Sequence, residues 1–108
     1  MKKNSLMFVW FSLAVTVSPV HAARAQAPQT LLHQYKCYVC HADRESKTGP
    51  AYVDVAIRYR GNPRAAAVIT GSIRKGVHNG GPWHMPPHPE VSGADARIMA
   101  RYILSLQK

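Results

Sequence analysis

Apolar side chains recur at intervals of three and four residues in four parts of this 108-residue chain, the spacing of one face of an α-helix. Thr30 can cap the first helix, whose apolar positions continue to Val39. A break at residues 48–50, Thr-Gly-Pro, precedes a second helix predicted over 51–59. Residues 30–59 are therefore predicted to be mostly helical.

The second half follows the same pattern. Asn62 and Pro63, a cap followed by a first-position proline, predict a third helix from 64 to about 75. Glycines and prolines between 76 and 89 then exclude regular structure. Ser92 predicts the cap of a last helix. Its apolar stripe comprises Ala94, Ile98, Met99, Tyr102, Ile103 and Leu106. No pair of strands is evident, so the predicted fold is all-α, with about four short helices.

The N-terminal residues have the pattern of a secretory signal peptide. Two lysines follow Met1, residues 6–17 are mostly apolar and uncharged, and small side chains permit cleavage after Ala22 or Ala25. A retained membrane anchor is the alternative, but the apolar run is shorter than the ~20 residues that a span needs. We therefore expect a signal peptide over 1–25, one domain over 26–108, and a periplasmic protein.

The composition is basic, with 14 Lys and Arg residues against 5 Asp and Glu residues. Cleavage after Ala22 removes the two leader lysines and leaves a net charge of about +7, and cleavage after Ala25 also removes Arg24 and leaves about +6. The remaining domain has about 85 residues, a size at which a protein-only core is marginal. Such a surface suits an acidic protein partner, or a transient contact with an anionic membrane. The positive charges are scattered and no nucleic-acid motif is present, so we do not expect binding to nucleic acid. We also expect the protein to be a monomer.

The most informative motif is C-x-x-C-H at residues 37–41, the signature of covalent haem attachment. On a helix, Cys37 and Cys40 would lie on one face, where both thiols can add to the two haem vinyl groups. His41 would lie roughly 100° further round, toward the iron. Its neutral imidazole is a suitable proximal ligand when a hydrogen bond from its other nitrogen orients it.

Two other functions are compatible with the cysteine pair. A thioredoxin-like redox pair has the same spacing, but that site lies in a βαβ unit, which the pattern here does not predict. A zinc site needs four ligands, so His78, His84 or His88 would have to complete it. Clusters held by four thiolates are excluded because the chain has only 2 cysteines.

A second candidate site is the proline-rich segment 80–89. Pro86 disfavours helical geometry at Met85, and the prolines that follow stiffen the backbone. A thioether presented from such a loop can bind haem iron on the face opposite the motif histidine, and as a soft ligand it favours ferrous iron. Ligation by His84 or His88 instead would give a bis-histidine site.

Taken together, these motifs resemble the class I cytochromes c, specifically the small bacterial cytochrome c-551 type. The resemblance covers essentially the whole mature chain, in the family's order. The matching segments are the motif at 37–41, GPAYVDVA at 49–56, IRKG at 73–76, MPP at 85–87 and ARYILSL at 100–106. The resemblance implies the class I cytochrome c fold, with the helices wrapped around one covalently bound haem c.

The resemblance also implies a function and further site residues. It implies a single-electron carrier, not an enzyme, in which Pro50 offers its carbonyl to His41 while Tyr52 and Trp83 belong to the haem pocket. Relatives carry the tryptophan further upstream of the methionine, and often have Asn where His88 stands. The alternatives are an electron-accepting subunit of a periplasmic oxidoreductase, and a haem sensor or enzyme in which Met85 is displaced by a small ligand.

Overall fold

Four α-helices form the regular framework of the part of the chain that the computed structural model describes, residues 3–4, 7–19, 26–82 and 84–107. In chain order they are α1 (Pro28–Gln34), α2 (Tyr52–Arg58), α3 (Ala65–Lys75) and α4 (Gly93–Ser105). A short 3-10 helix, Cys37–Val39, follows α1. Among these described residues, β-pairing is limited to one isolated bridge, Val77 with Met85. The predicted all-α fold with about four short helices is confirmed.

Helix α4 lies at the centre of the fold and packs against α1, α2 and α3. As predicted, Ser92 caps it, and the Ser92 hydroxyl accepts a hydrogen bond from the Asp95 amide at 3.0 Å. The predicted apolar stripe is only partly right, because Ala94 is exposed. The buried face follows the i, i+3, i+4, i+7 rule and consists of Ala96, Met99, Ala100 and Ile103. Its two alanines allow neighbouring helices to approach closely.

Helix α1 differs from the prediction at both ends. It begins at Pro28, two residues before Thr30, because the fixed φ of proline and its missing amide hydrogen suit the first helical position. It ends at Gln34, and Lys36 then adopts a left-handed conformation with φ 61° that no α-helix can continue. The motif cysteines therefore do not lie on an extension of α1, and Val39 is exposed rather than part of the core.

The predicted bounds of the second and third helices agree with the structure to within one residue at each end. The entry to α3 differs in detail. Asn62 caps a turn before the helix, since its side-chain oxygen accepts a hydrogen bond from the Arg64 amide at 2.9 Å. Arg64, rather than Asn62, is the residue at the helix N-terminus, and Pro63 lies in the turn.

Residues 7–19 form neither helix nor strand, and their large apolar side chains are exposed, Trp10 at 89%. None of the helices in the described part of the chain is long and apolar enough to cross a membrane. Both residues predicted to precede a cleavage site, Ala22 and Ala25, lie outside the described residues, as does Trp83.

Candidate functional site

The two motif cysteines lie on the 3-10 turn and its C-terminal cap. The amides of Cys40 and His41 both donate to the carbonyl oxygen of Cys37, at 3.1 and 3.0 Å. Because residues three apart nearly eclipse one another in 3-10 geometry, Cys37 and Cys40 share one side of the turn although the predicted α-helix is absent. Both are half-buried free thiols.

The chemistry of Cys37 argues against a thioredoxin-like function. Burial raises the pKa of its thiol, an effect larger than the opposing hydrogen bond from Tyr52. Redox-active pairs instead use a thiol whose pKa is lowered, so that the nucleophilic thiolate forms near neutral pH. A protonated thiol is, however, the form whose S–H can add across a vinyl group to give a thioether.

His41 is held from several directions. Its Nδ1 lies 2.8 Å from the carbonyl oxygen of Pro50, an acceptor only, so Nδ1–H donates and Nε2 keeps a free lone pair. Its ring stacks on that of Tyr52, with centroids 4.9 Å apart and planes 15° from parallel. The ring also packs directly on Gly49, where an added Cβ would lie 2.7 Å from Nδ1 and 2.8 Å from Nε2. The imidazole is thus oriented as a metal ligand requires.

The chain just after His41 is tied to three parts of the fold. The Asp43 carboxylate accepts a hydrogen bond from the Tyr38 hydroxyl at 2.8 Å and another from the Tyr102 hydroxyl on α4. The backbone carbonyl of Asp43 accepts from the amide of Val53 in α2 at 2.9 Å. Burial and the hydrogen bond to Asp43 raise the pKa of Tyr38, and the hydrogen bond to Asp43 raises that of Tyr102, so both phenols stay neutral donors.

Sequence reasoning missed this network. Asp43 was only one of five acidic residues, and Tyr102 was assigned to the apolar stripe of α4. The available signal was the amphipathic character of tyrosine, since a partly buried hydroxyl needs a partner. The partner itself could not be found without the fold, because 59 residues separate Tyr102 from Asp43.

The second candidate site lies on the loop after α3. Gly76 ends α3 with φ 78°, and an added Cβ there would lie 2.6 Å from the Met85 carbonyl oxygen. The Val77 amide donates to the Met85 carbonyl at 3.0 Å, and the Met85 amide donates to the Val77 carbonyl at 3.1 Å. The Met85 side chain is half-buried and packs against the hydrophobic core. The loop therefore fixes the backbone of Met85 at both its amide and its carbonyl.

The histidines of this loop have other surroundings. His84 is exposed, and its ring stacks on that of His78, with centroids 4.9 Å apart. His88 is half-buried, and its Nδ1 lies 3.0 Å from the Glu90 carboxylate. The described residues contain no group of three or more His, Cys, Asp or Glu side chains that could hold a metal ion. The zinc alternative therefore has no support in the geometry.

These observations fit a covalently attached haem. They provide two half-buried thiols on one side of a turn, an imidazole with one nitrogen bonded and the other free, and a thioether on a constrained loop. A separate groove of about 520 Å³ lies between the α2–α3 turn and the C-terminal residues. None of the motif or loop residues lines it, so we do not assign the chemistry to that groove.

Comparisons with known proteins agree from sequence and from structure. The cytochrome c-552 of Hydrogenobacter thermophilus is 39% identical over 83 residues, which cover 75% of this chain and 83% of that protein. The cytochrome c-551 of Allochromatium vinosum is 37% identical over 94 residues, which cover 86% of this chain and 96% of that protein. The crystal structure of wild-type Nitrosomonas europaea cytochrome c552 matches with a TM-score of 0.68 at 35% identity, covering 73% of this chain and 99% of that one. No protein-family model matches.

These relatives are similar over most of their own length, the folds agree, and this chain has the C-x-x-C-H motif of covalent haem attachment. The sequence-based assignments of family, fold and cofactor are therefore confirmed. The chain belongs to the small class I c-type cytochromes of the c-551 and c-552 type, which are electron carriers with one covalently bound haem c and are not enzymes.

Proposed function

We propose that this protein is a periplasmic single-electron carrier whose haem forms thioethers with Cys37 and Cys40 and has His41 and Met85 as axial ligands. The observation that carries the proposal is the 2.8 Å hydrogen bond between His41 Nδ1 and the Pro50 carbonyl oxygen. This bond fixes the tautomer that leaves Nε2 free to bind iron, and it makes the imidazole a better donor. Gly49 and Tyr52, which both contact the ring, restrict its rotation.

Met85 is the better candidate for the second axial position. Side chains alternate along an extended segment, so Met85 and the adjacent His84 point to opposite sides of the loop. Met85 packs on the core, whereas His84 is exposed against His78. Compared with a second imidazole, a thioether favours ferrous iron and raises the reduction potential.

The proposed ligand set accounts for electron transfer without substrate chemistry. When bound, haem supplies one-electron exchange between ferric and ferrous iron. With His41 and Met85 both bound, the iron would have no coordination position left for oxygen or a substrate. The network around Asp43 and the two backbone bonds of Met85 hold the two ligand-bearing segments in place. We therefore expect the chain to change little between the two oxidation states, which favours rapid exchange.

Replacing Met85 with leucine tests the ligand set. We expect the oxidised wild-type protein to show the weak far-red sulfur-to-iron charge-transfer band and Met85→Leu to lose it completely. The reduction potential should fall, and the reduced variant should bind carbon monoxide rapidly because a coordination position has opened. Absorption spectra, a redox titration and stopped-flow mixing with carbon monoxide measure these effects.

Met99→Leu is the matched control, because it makes the same volume-conserving change at a fully buried core position of α4. It should keep the far-red band and the slow reaction with carbon monoxide. A wild-type protein without the band near neutral pH would contradict Met85 ligation and favour His84 or His88. Rapid carbon monoxide binding by the reduced wild-type protein would instead indicate an open iron and a sensor or enzyme.

The periplasmic location is supported by the N-terminal sequence and by the cofactor. Residues 1–25 have the charged start, apolar centre and small-residue ends of a signal peptide. In this family, covalent haem attachment takes place on the outer side of the bacterial inner membrane. The intact mass of the holoprotein distinguishes cleavage after Ala22, cleavage after Ala25 and a retained leader.

The positive surface is proposed to steer an acidic redox partner to the haem. We expect the rate of oxidation by the anion ferricyanide to fall as salt rises, because the Debye length shrinks from ~30 Å at 0.01 M to ~10 Å at 0.1 M. The rate with the cationic oxidant tris(phenanthroline)cobalt(III) should rise over the same range. Stopped-flow kinetics measure both. Equal salt dependence for the two oxidants would mean that the charge serves solubility only.

Four basic residues near the motif and the ligand loop are candidates for the encounter surface: Lys36, Lys47, Arg74 and Lys75. Lys47 and Arg74 also donate structural hydrogen bonds to the carbonyl oxygens of Tyr38 and Val91. Charge reversal at the exposed Lys36 and Lys75 is therefore the cleaner test, with exposed Arg97 on α4 as the control. Reversal at the first two should slow ferricyanide oxidation more than reversal at Arg97, with little change in potential.

A further inference from the structure

The loop that presents Met85 also pairs two histidines across its strands. Val77 and Met85 exchange both of their backbone hydrogen bonds, at 3.0 and 3.1 Å. They therefore form a hydrogen-bonded pair of an antiparallel ladder. The next opposed pair toward the tip of the loop is His78 and His84. In antiparallel geometry that pair is non-hydrogen-bonded, and its side chains approach most closely, with Cβ atoms about 4.5–5.5 Å apart.

The side chains agree with this backbone register. The two imidazole rings stack with centroids 4.9 Å apart and planes 19° from parallel. Both histidines are exposed, so their rings can rotate without disturbing the core. The proposed haem ligation uses neither of them. The register of the bridge, rather than chance contact of two mobile side chains, thus brings the two rings together.

Two imidazoles held in this way form a chelating pair. A divalent transition metal with nitrogens at about 2.0–2.1 Å needs its two neighbouring donors roughly 3 Å apart, which rotation of stacked rings can provide. The described residues offer no third ligand, so water would complete the coordination. Among divalent first-row ions, Cu²⁺ binds nitrogen ligands most tightly, ahead of Ni²⁺ and Zn²⁺.

We propose that His78 and His84 form a surface binding site for a divalent transition-metal ion, with Cu²⁺ the preferred ion. The site is independent of the haem, because it depends only on the Val77–Met85 pairing and the two imidazoles. A bound ion would join the two strands of the loop on the side away from the core. Because the ion binds the folded loop and not the separated strands, it stabilises the loop that carries Met85.

The test is a titration of the ferric holoprotein with Cu²⁺ in a buffer that does not chelate metals. Ferric protein is used so that the copper exchanges no electron with the haem. We expect one Cu²⁺ per protein by calorimetry, and an electron paramagnetic resonance spectrum with nitrogen hyperfine structure from two imidazoles. His78→Ala and His84→Ala should each weaken binding by about tenfold or more, because a lone imidazole cannot chelate.

His33→Ala is the matched control, since His33 is also exposed but lies on α1, where its ring packs on Tyr38. It should bind Cu²⁺ as the wild-type protein does. Circular dichroism and the Soret band establish that all three variants carry folded holoprotein. Unchanged affinity in His78→Ala and His84→Ala would overturn the proposal, as would an equal loss in His33→Ala. Loss of the far-red band on adding Cu²⁺ to the same extent in the wild-type protein and in the two loop variants would also place the metal elsewhere.

Discussion

Replacing both motif cysteines with alanine is expected to abolish covalent haem attachment, the largest effect of any change in this chain. Each single variant, Cys37→Ala or Cys40→Ala, can form at most one thioether. Little holoprotein should accumulate in either case, because a domain of about 85 residues buries only roughly 60% of its unfolded surface and depends on the haem to complete its core. Acid-acetone extraction and intact mass measure the covalent fraction directly.

The matched control for the cysteine variants is Val39→Ala. Val39 lies between the two cysteines but is 68% exposed, so its truncation removes little packing and leaves both thiols. It should retain the wild-type mass increment, and its haem should remain with the precipitated protein. Wild-type protein that releases its haem into the organic phase would contradict covalent attachment through Cys37 and Cys40.

The sequence predicted the helices best where local signals and tertiary packing agree. Ser92 marks the start of α4 both in the sequence-based prediction and in the structure. The hydrogen bond that an N-terminal hydroxyl cap accepts comes from within its own turn, so a local signal is enough to identify it. The start of α1 was mispredicted, since Pro28 at the first helical position was a stronger signal than Thr30. Its end was also mispredicted, because nothing about Lys36 as a residue type indicates a left-handed conformation.

In the candidate site, too, the residues defined by local spacing were predicted, whereas the contacts between distant segments were not. The motif spacing identified Cys37, Cys40 and His41 as candidates at once, because those side chains act within one turn of chain. The tyrosine pair on Asp43 and the histidine pair on the Met85 loop were not found. Both depend on which distant segments meet, a property of packing and strand register that local patterns do not encode.

Gly49→Ala is expected to displace His41 and destabilise the holoprotein. The new methyl group would lie 2.7 Å from Nδ1 and 2.8 Å from Nε2, well inside the ordinary van der Waals separation of about 3.5 Å. The imidazole must then move and lose its optimal bond to the Pro50 carbonyl. Overpacking of this kind costs about 1–3 kcal/mol, which for a domain of this size lowers Tm by roughly 5–20 °C. Thermal unfolding followed at the Soret band measures the loss.

Gly71→Ala separates this steric effect from the general effect of replacing glycine. Gly71 lies within α3, and an added Cβ there meets no atom within 4 Å. Because alanine has the higher helix propensity, that variant should gain about 0.5–1 kcal/mol and keep the wild-type spectrum. In Gly49→Ala, by contrast, a shifted Soret band should accompany the lower Tm, since the ligand itself has moved. If Gly49→Ala were as stable as Gly71→Ala and had an unchanged spectrum, His41 would not be the tightly held ligand that we propose.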